Sequence, residues 1–145
     1  MHTVTEIEDA IIARLTAEIP YLKGCASLGQ FLLEDIEENT LRYPAAYVAY
    51  QRGDYTYKAG VQDRTMIFSV ILVVRNERGD EAARHGQGAE IGVYRLLDDV
   101  RAALTDQSCG LAIDPLLPQS EQVIDGTDHV AIYGLTVSTR CRFGH

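Results

Sequence analysis

The stretch NERGDEAARHGQG, residues 76–88, gathers three acids, two arginines, a histidine and three glycines in thirteen residues. Three kinds of chemistry are open to such a set. His85 beside Arg84, with Asp80 and Glu81 nearby, offers an acid and a base for proton transfer. Gly86 and Gly88, with Gly92 further on, spell GxGxxxG at a helix start, superficially a dinucleotide cradle. The third is recognition of another protein by a surface rich in both signs of charge.

A dinucleotide loop leaves its strand in a tight turn so that the next helix points its N-terminus at the pyrophosphate. Here more than ten residues separate Val74 from Gly86, and no strand-helix-strand unit precedes them. The plainer alternative is a flexible loop that ends in a glycine-rich helix start. Metal chemistry fares no better. His2, His85, His129 and His145 show no HxH, HxxxH or HExxH spacing, and Cys25, Cys109 and Cys141 are odd in number with no CxxC pair. No GxSxG elbow or phosphate-binding loop is present. The residues therefore predict no cofactor, no metal and no catalytic centre. They favour a recognition surface contributed by Arg78, Asp80, Glu81, Arg84 and His85.

A second unusual region, YPAAYVAYQRGDYTYKAG, holds five of the eight tyrosines: Tyr43, Tyr47, Tyr50, Tyr55 and Tyr57. With Arg52, Lys58 and Arg64 they could stack on and pair with single-stranded nucleic acid. A net charge of −8 and a pI near 4.9 oppose that at long range. Tyrosines on an extended segment are enriched at protein interfaces. Tyr55, Tyr57, Lys58 and Arg64 are accordingly read as interface residues.

The elements that position these residues follow from periodicity. Apolar residues at 46% and charged residues at 23% are ordinary globular values. At 145 residues the chain predicts one domain over residues 1–145. Its N-terminus lacks a basic signal-peptide start and no apolar run reaches the ~18 residues of a membrane span, so a soluble protein is expected. Ile7, Ile11, Leu15 and Ile19 predict a helix from about Thr5 to Glu18, opened by a Thr5–Glu8 capping box and stopped at Pro20. Leu28, Phe31, Leu32, Leu33 and Ile36 predict a short second helix. AAYVAY reads as a strand that ends near Gly53. TMIFSVILVV, apolar at alternate and intervening positions alike, reads as a central strand covered on both faces. Val93, Leu96, Leu97, Val100 and Leu104 line one side of the best helix, opposite Arg95, Asp98, Asp99 and Arg101. LAIDPLLPQSEQVID, with two prolines, predicts only a short edge strand near its end, and Asp125-Gly126 a hairpin turn. HVAIYGLTVSTRCRF reads as the last strand, with Ala131, Tyr133, Leu135, Val137, Cys141 and Phe143 on one face and Thr136, Ser138, Arg140 and Arg142 on the other. The order ααββαββ lacks strand-helix alternation and predicts an α+β fold of about four mostly antiparallel strands packed with two to three helices.

IEDAIIARL, YPAAYVAY before a glycine, and above all GVYRLLDDVRAAL followed by GLAIDPLLP resemble the Mu-like phage and prophage family encoded between head and tail genes. That family is regarded as a tail terminator, similar in role and broad fold to the lambda tail terminator. The resemblance runs from about Ile7 to Phe143 and is most specific over residues 92–118. It implies a structural ring protein, a hexamer, located in the tail and neck of the virion after assembly in the host cytoplasm, with residues 76–88 and 52–63 as assembly loops. Its implied partners are further copies of itself, the tail tube protein and the head-completion or neck proteins. DNA would pass through the lumen as cargo, which acidic walls would keep from adhering. Two other readings remain open on the residues alone. One is a small metal-dependent hydrolase using Asp54, Asp63, Asp80 and Glu81 around a divalent ion. The other is a cytoplasmic oligomeric binding module unrelated to phage.

Overall fold

Ile7, Ile11 and Leu15 recur every fourth residue and form the buried side of helix α1 (Val4–Glu18) in a computed structural model that describes residues 2–28, 43–88, 90–127 and 129–143. The helix begins one residue earlier than its sequence predicts, and its cap lies two residues earlier. Thr3, not Thr5, caps it, accepting a hydrogen bond from the Glu6 backbone at 3.1 Å, while the Thr3 hydroxyl also bonds the Glu6 carboxylate at 3.4 Å. The same threonine-to-glutamate spacing occurs twice in TVTEIE, and the earlier pair wins because it adds about half a turn to the helix. The helix expected around Phe31 lies outside the described residues.

The sheet has five strands in the order β1-β2-β3-β5-β4. They are β1 (Gly24–Ser27), β2 (Ala45–Lys58), β3 (Val61–Arg75), β4 (Leu117–Gly126) and β5 (Val130–Phe143). All neighbours are antiparallel except β1, which runs parallel to β2. The α+β class is as expected, with one more strand. β1 has no alternating pattern to announce it; its four residues become a strand because the edge of β2 offers Ala45–Val48 as partners.

β3 is the central strand the apolar run predicts. Its Met66, Phe68, Val70 and Leu72 join Ala46 and Val48 of β2 and Leu135 and Val137 of β5 in the main core, under α1 and helix α3 (Val93–Leu104). On the opposite face Val73, Val130 and Ile132 make a smaller cluster with Tyr43, Tyr47 and Ile71. β5 presents Ala131, Leu135, Val137 and Cys141 to the main core as its alternation requires.

α3 buries Val93, Leu96, Leu97, Val100, Ala103 and Leu104. Leu97→Ala is expected to destabilise the protein by about 2–5 kcal/mol, through lost transfer energy and the cavity left behind. Asp98→Ala, on the exposed side and 3.1 Å from Arg101, is expected to cost less than ~1 kcal/mol. Urea denaturation of both variants checks this; equal losses would mean that the helix buries its other side.

Three boundaries differ from expectation. β2 does not end at Gly53 but continues to Lys58, and residues 52–63 are a β-hairpin, not a loop. Its turn, Ala59-Gly60, has φ of 50° and 79°, the doubly positive geometry that matches strand twist in two-residue hairpins. β4 is ten residues long and includes Pro118. Proline is tolerated because β4 is an edge strand, and register shifts at Pro118/Ser120 and Val123/Asp125 break its ladder locally. Asp125 and Gly126 are its last paired residues, opposite Ile132 and Ala131, and the turn lies beyond them, closed by Thr127 N–H to the Val130 carbonyl at 2.9 Å.

Candidate functional site

The interface residues expected from sequence fall into two groups at opposite ends of β3. That strand has 15 residues, which at ~3.3 Å per residue separates its ends by roughly 45 Å. Tyr55, Tyr57, Lys58 and Arg64 lie on the β2–β3 arm at one end. Arg78, Asp80, Glu81, Arg84 and His85 lie beyond Arg75 at the other.

The arm owes its surface to one irregularity. The register slips between Tyr50 and Arg52, so that Tyr50 pairs with Phe68 but Tyr55 pairs with Arg64. A side-chain period of two would put Tyr50 and Tyr55 on opposite faces; the extra residue brings Tyr50, Tyr55 and Tyr57 to the same one. The Arg64 guanidinium then lies 5.7 Å from the ring centres of both Tyr50 and Tyr55 and donates to the Tyr50 hydroxyl at 3.2 Å. That bond raises the Arg64 pKa further above its ordinary value. Gly53 is a glycine because any Cβ there would overlap the Tyr50 hydroxyl. Tyr55 and Tyr57 remain 51% and 75% exposed, and Gln62 donates to the Tyr57 hydroxyl at 2.8 Å.

The stretch 76–88 is less of a loop than it reads. Residues Asp80–His85 form a short helix, α2, whose Ala82 and Ala83 are buried. Asn76 anchors the approach: its side-chain amide donates to Glu90, its side-chain oxygen accepts from the Arg78 backbone at 2.9 Å, and its own N–H reaches the His129 carbonyl at 2.7 Å. Much of the charge is satisfied within the stretch and its flank. Arg84 pairs with Asp80 at 3.6 Å, and Arg78 approaches Glu90 at 3.8 Å. The neighbouring Tyr94 hydroxyl raises the Arg84 pKa above its ordinary value, and His85 packs edge-on against the Tyr94 ring at 5.1 Å. Tyr94 in turn meets Tyr133 edge-on at 5.6 Å, with the two hydroxyls 3.4 Å apart. Bonding between the two phenols and the nearby Arg84 charge hold Tyr94 below the ordinary phenol value, while Tyr133 is pushed up by the same contact. Tyr94 and Tyr133 were not expected in this surface; the strand pattern placed Tyr133 on a face, the helical stripe left Tyr94 out, and neither showed that the two meet.

The glycine pattern GxGxxxG has a packing explanation. A Cβ on Gly92 would overlap the backbone of Arg84, His85 and Gly86, so the end of α2 and the start of α3 cross through glycine. Gly86 also has φ of 80°. The four acids of the hydrolase reading do not come together: Asp54 and Asp63 belong to the arm, whereas Asp80 and Glu81 belong to α2. Among the described residues, no three histidines, cysteines or acids gather as a metal site.

Residues 3–140 match the family described as Bacteriophage Mu, Gp37. The chain belongs to this family. Membership makes it a phage structural protein, which agrees with the resemblance seen in GVYRLLDDVRAAL and LAIDPLLP, and points to a component of the virion. No curated protein matches the chain. Among the described residues of this Gp37-family protein, no helix is long and apolar enough to cross a membrane.

Proposed function

We propose that this chain is a tail terminator: it caps the end of the tail tube, stops its polymerisation and forms part of the neck that joins tail to head. The observation that carries this reading is the pair of recognition surfaces at opposite ends of β3, in a chain of a phage structural family. A terminator has to meet several partners at once, and the two surfaces, Tyr55 beside Arg64 and Arg84 near Tyr133, which pairs with Leu72, lie eight residues apart along β3, roughly 25 Å, and can be occupied together. The partners are further copies of the chain in a hexameric ring, the tail tube protein on one side and head-completion proteins on the other. DNA passes through the ring as cargo, past walls made acidic by the excess of 21 acids over 13 bases. No step of this work requires catalysis.

Phage made without the chain are expected to carry overlong tails that do not join heads, because nothing caps the growing tube; tails of normal length joined to heads would overturn the reading. Electron microscopy measures both. Replacing Arg78, Asp80, Glu81 and Arg84 together by serine examines the α2 surface separately. Exposed ion pairs contribute only ~0–1 kcal/mol each, so this variant should stay folded yet give the same overlong, unjoined tails.

A further inference from the structure

All five of the large apolar side chains exposed among the described residues lie at the two edges of one sheet: Tyr55 and Tyr57 on the arm, and Leu117, Val123 and Ile124 on β4. β1 pairs with β2 only over Ala45–Val48, so among the described residues the distal half of β2 is a free edge. β4 is the opposite edge, exposed along all ten residues. Exposed apolar side chains concentrated in this way mark contact surfaces rather than ordinary scatter.

We propose that copies of this chain associate head to tail, the arm of one docking through Tyr55 and Tyr57 against Val123 and Ile124 of β4 in the next. The proposal deepens the terminator reading and rests on it for the ring, but assigns the contact that builds it. Charge selects this pairing over the two symmetric ones. The segment RGDYTYK, residues 52–58, carries two bases and one acid, whereas β4 carries Glu121 and Asp125 and no base. Arm against arm would set Lys58 and Arg52 against their like, and β4 against β4 would oppose acids to acids. Arg52 already pairs with Asp54 at 3.3 Å and Glu121 with Arg101 at 3.7 Å, so arm against β4 brings Lys58 toward Asp125 and covers both apolar patches. Tyr55 pairs across to Arg64 and Val123 to Tyr133, positions on the helix-bearing side of the sheet, whereas Ile124 lies over Gly134 and Ile71 on the other side, so the β4 patch wraps both faces of its edge. Pro118 and the two register shifts of β4 make it a poor template for a continuous backbone ladder, so side chains carry the contact. A heterologous contact of this kind closes into a ring when its rotation permits.

Two variants test it, Tyr55→Ala/Tyr57→Ala on the arm and Val123→Ser/Ile124→Ser on β4. Both change exposed residues, and thermal melting confirms that each remains folded. Under conditions where the wild-type chain forms rings, alone or with tail tubes, each variant alone is expected to associate at least about tenfold more weakly. Mixed together, the two retain one intact arm and one intact β4 edge between them, and native mass spectrometry should show a one-to-one heterodimer and nothing larger. A mixture that stays monomeric, variants that still form rings, or a wild-type chain that stays monomeric even with tubes overturns the proposal. Variants that keep the ring but lose tube binding overturn it too, since the patches would then belong to the tube contact. The tails of phage lacking the chain report on the terminator reading by themselves, so failure of the contact and failure of the function are told apart.

Discussion

Phe68→Ala is expected to lower the unfolding free energy by about 3–5 kcal/mol. Phe68 is fully buried at the middle of β3. It pairs laterally with Tyr50 of β2 and Val137 of β5, and its ring meets that of Tyr50 at 5.4 Å in a tilted arrangement. Strands on both sides and helices above hold these neighbours in place, so the space left by the ring cannot collapse. Domains of this kind have about 5–15 kcal/mol in total, so the variant should melt far below the wild type. The effect reaches the arm, because Tyr50 rests on Phe68 with one part of its ring and holds Arg64 with its hydroxyl. Urea denaturation followed by circular dichroism measures the loss. A value under ~1 kcal/mol would show that Phe68 is not at the centre of the packing.

Gly92→Ala is expected to destabilise by about 1–3 kcal/mol or more, although alanine adds only a single methyl group. The atoms that a Cβ would meet are all backbone, from Arg84, His85 and Gly86, and none can rotate away. Relief requires α2 to separate from α3, which would pull Arg84 and His85 off Tyr94. Gly88→Ala is the matched comparison. Gly88 has φ of 61° but open space around it, so alanine there should cost only the ~1 kcal/mol or so of a left-handed backbone. Hydrogen exchange should show amides of α2 opening in the Gly92 variant and little change in the Gly88 variant. Equal behaviour of the two would refute the backbone crossing as the reason for the glycine pattern.

The candidate surfaces were only partly legible in the sequence. Tyrosine on an extended segment pointed to the arm, and a concentration of charge pointed to residues 76–88. Neither composition nor charge could show that Arg84 and His85 pack on Tyr94, that Asn76 ties the approach to Glu90, or that Val123 and Ile124 stand exposed on the far edge. Val123 and Ile124 look like core residues in sequence because their side chains are apolar; they are exposed because β4 has a neighbour on one side only.

By itself the sequence determined what depends on neighbours along the chain. The fourfold spacing of Ile7, Ile11 and Leu15, the one-sided stripe of α3, the doubly apolar β3 and the alternation in β5 each follow from a backbone period that any segment carries with it. Tertiary structure decided everything that depends on which backbone lies beside which. β1 exists because β2 has a free edge to receive it, and the arm reaches Lys58 because β3 pairs with it past Gly53. The slip at Tyr50 turns Tyr55 and Tyr57 onto a shared face, and Gly86 and Gly92 matter because two helix ends cross. Side-chain periodicity is local and is written in residue order, whereas pairing partners, edges and close crossings are set by contacts between residues distant in the chain, which no single segment encodes.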